Sequence, residues 1–169
     1  MKARGITRTF TRSFAALLAA VTLSAVTMSA AAPDPVAWKL QAGPSKPVKP
    51  GAQFTVKLVA AIEEGWHMYG LKPMAEGPIP TRIWLPEGQP FQLAGRIQAP
   101  AAQTLQDPSF GMEVELYEGE AAFTLPLKAA ATATGSQTLV VSASYQSCND
   151  KMCLPPKTVK VEMPVSVRK

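Results

Sequence analysis

The chain has 169 residues, 47% of them hydrophobic, with 17 Lys+Arg against 12 Asp+Glu, one His and two Cys. Four of the basic residues lie in the first twelve positions and no acid precedes Asp34, so the remainder carries 13 basic and 12 acidic residues, a net charge of +1. That balance gives no sign of a nucleic-acid surface, and 16 prolines spread along the chain argue against long helices.

Residues 1–31 read as an export signal. Lys2, Arg4, Arg8 and Arg12 form a basic head, an apolar run follows from Phe14 to Val26, and Met28-Ser29-Ala30-Ala31-Ala32 supplies small residues for cleavage. The cut is expected after Ala30 or Ala31, because Pro33 disfavours cleavage directly before it. The apolar run is too short and too rich in Ala, Thr and Ser for a comfortable membrane span. No cysteine lies near the cut, so a lipid anchor is unsupported. The expected compartment is the periplasm, where disulfides form and persist.

Residues 32–169 suit one domain with its own core. In chain order the strand candidates are Val36–Gln41, Phe54–Ile62, Trp66–Tyr69, Thr81–Leu85, Phe91–Ile97, Val114–Tyr117, Ala121–Leu127, Leu139–Gln146 and Thr158–Val167. The clearest have a period of two: Phe54, Val56, Leu58, Ala60 and Ile62 on one face, then Leu139, Val141, Ala143 and Tyr145, then Val159, Val161, Met163, Val165 and Val167. Pro164 cannot donate to a ladder, which places its part of the last strand at an edge or a bulge. Pro50-Gly51, Glu64-Gly65, Pro86-Glu87-Gly88, Glu118-Gly119 and Gly135-Ser136 mark turns. Residues 43–50 read as extended and 129–135 as a surface connection. Eight or nine short strands with this punctuation predict an all-β fold, an immunoglobulin-like antiparallel β-sandwich.

The two cysteines, Cys148 and Cys153, enclose four residues in a turn between the last two strands. Closing so short a loop stabilises the fold by only about 2 kcal/mol, against nearly 5 for a loop of a hundred residues. A bond of small structural value suits a redox pair, but the spacing serves a structural clip on a hairpin equally well. Lys151, two residues from Cys153, would favour a thiolate there and Asp150 would oppose it; both read more simply as solvated turn residues.

Around the cysteines the segment Tyr145-Gln146-Ser147-Cys148…Cys153-Leu154-Pro155-Pro156 resembles the N-terminal periplasmic domain family of the thiol:disulfide interchange protein DsbD. Gly65-Trp66-His67-Met68-Tyr69, Gly77-Pro78-Ile79-Pro80-Thr81 with Leu85-Pro86, and Asp107-Pro108-Ser109-Phe110-Gly111 with Tyr117-Glu118-Gly119 follow in the same order. The resemblance covers roughly Val36 to Val167.

It implies an immunoglobulin-like domain that passes reducing equivalents between periplasmic thioredoxin-like proteins, with disulfide isomerases and cytochrome c maturation proteins as acceptors. It further implies that Cys153 makes the intermolecular bond, that Cys148 resolves it, and that a loop carrying Asp107 and Phe110 caps the pair, with His67 and Tyr69 lining the site. This pair encloses one residue fewer than in the best-known members, and Asp107 is the only acid of its cap segment. With no further domain after Lys169, a free-standing, monomeric version with an unidentified electron donor is expected. No cofactor is implied.

Other readings stay open beside this one. A binding or adaptor domain with an inert disulfide ranks second. Copper binding by Cys148, Cys153, His67, Met68, Met112 and Met152 ranks third, since these are soft ligands without a dense Met/His motif. His67 also reads as a simple polar strand residue, and Trp38, Trp66 and Trp84 as core or rim residues. One histidine gives no Ser/His/Asp set, and no phosphate-binding glycine loop is present.

Overall fold

Strand alternation builds the core. A computed structural model describes residues 34–108 and 110–169, so the export-signal segment and Ser109 lie outside the described residues. In chain order the strands are β1 (Val36–Gln41), β2 (Gln53–Ile62), β3 (His67–Tyr69), β4 (Arg82–Trp84), β5 (Phe91–Leu93), β6 (Gln103–Asp107), β7 (Met112–Tyr117), β8 (Glu120–Ala129), β9 (Gly135–Tyr145), β10 (Ser147–Cys148) and β11 (Lys157–Val167). They form three sheets with orders β1-β2-β8-β5, β10-β3-β7-β6 and β11-β9-β4. All the named strand pairs are antiparallel. The fold is the expected all-β, immunoglobulin-like one.

Val56, Leu58, Ala60 and Ile62 of β2 and Ala121, Phe123, Leu125 and Leu127 of β8 meet Leu139, Val141 and Tyr145 of β9 in the main core. Met68 of β3 and Tyr117 of β7 close it from the remaining sheet. Phe123 is fully buried against the rings of Trp38 and Tyr117, at centroid distances of 6.0 and 5.5 Å. Among the described residues no helix is long and apolar enough to cross a membrane.

Several elements differ from expectation for physical reasons. Among the described residues eleven strands form rather than eight or nine. β6 lacks an apolar alternation because it is a sheet edge whose first four residues are exposed, and it forms through backbone pairing with β7. β5 ends at Leu93 instead of Ile97 because its neighbour on β8 is Pro126, which has no N–H to donate; pairing resumes at Gln98 and Thr124. Segment 129–135 is not wholly a surface connection: Ala129 ends β8 in the core, and Ala133 is buried there too. Val48, in the extended segment, pairs in parallel with Val167. Pro164 keeps its register opposite Thr138 because β11 is an edge strand. Trp38 and Trp66 pack against the core, whereas Trp84 is exposed.

The feature that positions the site is a change of sheet. β9 and β11 run in unbroken register from Gly135–Val167 to Tyr145–Lys157. Beyond that pair, Gln146 and Ser147 on one side face Leu154, Pro155 and Pro156 on the other, a one-residue bulge. The two prolines cannot donate to the ladder, and the chain bends so that β10 joins β3 in a different sheet.

Both flanks of the bend are tied. On one, Tyr145 Oη donates to Asp34 Oδ1 (2.8 Å) and Lys157 Nζ to Asp34 Oδ2 (2.6 Å). On the other, Gln146 Oε1 accepts from Ile79 N–H (3.3 Å) and its Nε2 donates to the Leu154 carbonyl (3.4 Å).

Partial burial alone would raise the Asp34 pKa, but bonds from Lys157, Tyr145 and the Val36 N–H outweigh it and hold the carboxyl below its ordinary 3.8. A depressed carboxyl stabilises the fold above its unfolded pKa, and this contribution is lost as pH falls through the folded one. Asp34→Asn is therefore expected to lower stability by about 1–2 kcal/mol at neutral pH. In urea unfolding the gap to wild type should close as pH drops below 3.8; a gap unchanged at strongly acid pH would contradict this assignment.

Candidate functional site

Cys148 and Cys153 form a disulfide with their Cα atoms 4.0 Å apart. Asn149 N–H donates to the Met152 carbonyl and Leu154 N–H to the Ser147 carbonyl, both at 2.9 Å. These two bonds bracket the cysteines, which makes them a non-hydrogen-bonded pair of an antiparallel ladder, the kind whose Cα atoms come closest, at about 4.5 Å. Asn149 sets the turn: its Oδ1 accepts from Lys151 N–H and Met152 N–H, both at 2.9 Å. Asp150 and Lys151 are exposed at the tip, as solvated turn residues would be.

The two sulfurs sit in different surroundings. Cys148 is fully buried, whereas Cys153 is only partly buried. Cys148 joins Tyr69, Val114 and Leu116 in a second apolar cluster, with Met74, Met112 and Cys153 packed against it. β3 and β7 supply this cluster from the face opposite the main core, since Met68 and Tyr117 turn the other way. Gly70 permits the sheet to close here: its N–H donates to the Glu115 carbonyl (2.7 Å), and a Cβ would lie 3.0 Å from the Glu115 Cβ. Thr81 returns the following loop to Tyr69, its Oγ1 donating to the Tyr69 carbonyl (2.6 Å).

His67 is the ladder partner of Cys148. Its Nε2 lies 3.4 Å from Tyr69 Oη and 3.8 Å from Asp107 Oδ2. Tyr69 Oη donates to Asp107 Oδ2 at 2.7 Å. Burial first, and then the Asp107 carboxylate, push the Tyr69 pKa far above its ordinary value, so the hydroxyl remains a donor at neutral pH.

Asp107 also shapes the turn between β6 and β7. Its Oδ1 accepts from Phe110 N–H (3.3 Å) and its carbonyl from Gly111 N–H (2.8 Å). Gly111 has φ +63°, the left-handed region that favours glycine. The turn lays the Phe110 ring edge-on against Tyr69, with centroids 5.9 Å apart and planes at 88°. Phe110 remains 36% exposed, so its ring rests on Tyr69 without being enclosed.

One cysteine, Cys148, and all four lining residues inferred from the sequence thus form a connected set: Cys148 beside His67, then Tyr69, Asp107 and Phe110. Met74, Met112, Val114, Leu116 and Gln146 belong to the surroundings and were not singled out as such. The alternation of Val114 and Leu116 shows a strand in the sequence but not which face meets the cysteines. Met68 cannot join these residues around a soft metal, because it points into the main core. Among the described residues no group of three or more His, Cys, Asp or Glu could hold a metal ion.

A disulfide carried on a hairpin at the end of a β-sandwich, with Cys148 fully buried and Cys153 partly so, is an arrangement that thiol–disulfide exchange can use. The profile of the family "Thiol:disulfide interchange protein DsbD, N-terminal" matches residues 32–164, and the chain belongs to that family. Among solved structures it is similar to the reduced DsbD N-terminal domain of Neisseria meningitidis, with 22% identity, 66% of this chain and 75% of that one covered, and a TM-score of 0.44. It is also similar to the N-terminal periplasmic domain of ScsB from Proteus mirabilis, with 13% identity, 68% and 42% covered, and a TM-score of 0.47. A search of curated protein sequences gives no match.

Removing the Tyr69 hydroxyl takes a donor from a nearly fully buried carboxylate. Tyr69→Phe is expected to cost about 1–3 kcal/mol in denaturant unfolding. It should also speed amide hydrogen exchange at Phe110 and Gly111, whose N–H groups depend on Asp107. Unchanged exchange there would separate the turn from the Tyr69–Asp107 bond.

Proposed function

We propose that residues 32–169 act in the periplasm as an electron-passing module between thioredoxin-like proteins, with Cys153 making the intermolecular bond and Cys148 resolving it. The observation that carries this reading is the unequal burial of the two sulfurs in a member of a thiol–disulfide interchange family. An incoming thiolate needs a straight approach to the sulfur it attacks, and full burial denies this to Cys148 while Cys153 is only partly buried.

In reduction, a donor thiolate attacks Cys153 Sγ. The Cys148–Cys153 bond breaks, and its electron pair leaves on Cys148 Sγ, which takes up a proton. The donor's second thiolate then attacks its own sulfur in the mixed disulfide and releases Cys153 as thiolate. The donor leaves as a disulfide and this domain as a dithiol. Delivery runs the same chemistry in the other direction. Cys153 thiolate attacks the acceptor disulfide, then Cys148 attacks Cys153 Sγ and releases the acceptor's dithiol.

Burial of Cys148 suits resolution, since an intramolecular attack needs no access from outside. In this reading Tyr69, which packs in one cluster with Cys148, shields the pair on the buried side, and Phe110 rests on Tyr69 from the turn that Asp107 holds. Shielding of this kind limits reaction with unintended thiols.

The test is trapping in cells. Cys148→Ser should accumulate a mixed disulfide through Cys153, visible as a higher band on non-reducing gels that disappears with reductant. Cys153→Ser should trap little. Trapping only in the Cys153→Ser variant would reverse the two roles. No partner in either variant, together with full activity of the double Cys→Ser chain, would favour the adaptor reading.

A further inference from the structure

A second surface lies on the same end of the molecule and takes no part in the site described above. β4 aligns Arg82 with Ser144 and Trp84 with Ser142 on β9. On the other side of β9, β11 aligns Thr158 with Ser144 and Lys160 with Ser142. Alternation puts this set on the face opposite to Ile83, which packs against the core, and its ladder partner Ala143, which is buried. Arg82, Trp84, Ser144 and Thr158 line an open cleft of about 280 Å³. Trp84 is 39% exposed there, on a three-residue strand at the edge of its sheet.

Three properties of this cleft point to a protein partner. Tryptophan and arginine are the residue types that most often dominate binding energy at protein interfaces. The charge is of one sign: Arg82 lines the cleft, Lys160 stands beside Trp84 across Ser142, and no acid lines it. The nearest acid on this face of β11, Glu162, lies one row further from the redox end, opposite Val140. Finally, Ser144 precedes Cys148 by four residues, roughly 13 Å of strand, so one bound protein can reach both places.

We propose that the Arg82–Trp84 cleft is a second docking point for the exchange partner, taking an acidic, extended segment of that protein while its cysteine engages Cys153. The inference rests on the exchange reading given above. An extended segment lays an apolar side chain on the Trp84 ring, and its carboxylates meet the Arg82 guanidinium and the Lys160 ammonium. The cleft then selects among thiol partners by charge, while Cys148 and Cys153 carry the chemistry for all of them.

The probe is a cysteine peptide held as a mixed disulfide with 5-thio-2-nitrobenzoate, with six-residue tails of either Glu or Lys; extended, such a tail reaches about 20 Å. Reduced protein attacks the peptide sulfur and releases the coloured thiol, and Cys148 then frees the peptide. Wild type should react with the Glu-tailed peptide about tenfold faster than with the Lys-tailed one at low salt, and the difference should shrink in high salt. Trp84→Ala should slow the Glu-tailed peptide alone. Arg82→Glu should slow the Glu-tailed peptide and speed the Lys-tailed one, an exchange of preference that misfolding cannot produce. Reaction with tailless 5,5′-dithiobis(2-nitrobenzoate) should stay unchanged in both variants. If wild type exchanges with both peptides and neither variant alters their ratio, the docking inference fails and the exchange reading stands. If wild type exchanges with neither peptide, both fall together.

Discussion

The bend after Gln146 is the constraint on which the site depends. A long β9–β11 hairpin would continue in its own sheet if both strands kept donating. Pro155 and Pro156 cannot donate, and one side carries an extra residue, so the register shifts and the hairpin tip joins β3 instead. The shift brings Cys148 and Cys153 opposite each other at a close, non-hydrogen-bonded position. It also turns Cys148 into the apolar cluster built by β3 and β7. Asp34 and Gln146 tie the two flanks of the bend, one through Tyr145 and Lys157 and the other through Ile79 and Leu154. A rigid sandwich thereby presents a short loop in one orientation, an arrangement suited to a chemistry that needs one sulfur reachable and the other held.

The polar residues beside the cysteines act through geometry. Tyr69, Asp107 and the Phe110 amide form a chain of hydrogen bonds at the edge of the apolar cluster. Buried polar groups specify position because an unpaired one is costly. That chain fixes the β6–β7 turn, and the turn places the Phe110 ring on Tyr69. The β6–β7 turn is therefore set by a carboxylate, with an aromatic ring on its outer surface.

Much of the scaffold was legible because it follows from alternation. Val36–Gln41 matches β1 at both ends, and the residues that β2 and β9 send into the main core, Val56, Leu58, Ala60 and Ile62 with Leu139, Val141 and Tyr145, lie on the faces their period of two marks, although Val59 and Ser142 are buried off it. Turn and proline signals placed the edge strand and the cysteine hairpin. β6 left no such mark, since an exposed edge has no apolar face to alternate, and the two residues of β10 are too few to show any period. The shortening of β5 depends on Pro126 in a neighbouring strand, a tertiary effect that no local window contains.

For the site, His67, Tyr69, Asp107 and Phe110 were reached through family resemblance, because nothing local joins residues forty positions apart. The faces of Val114 and Leu116, the bonds of Gln146 and the clamp by Asp34 depend on how sheets stack. Trp84 reads equally as core or rim, and only the assembled sheet decides that it faces outward.

The central claim is that the Cys148–Cys153 bond exists to be made and broken. Its most direct test is the reduction potential of the pair, measured by equilibrating the chain in thiol buffers of known poise and trapping free thiols. A value between about −180 and −270 mV is predicted, in the range of proteins that exchange disulfides. A value below about −300 mV would mark a structural bond and contradict the account.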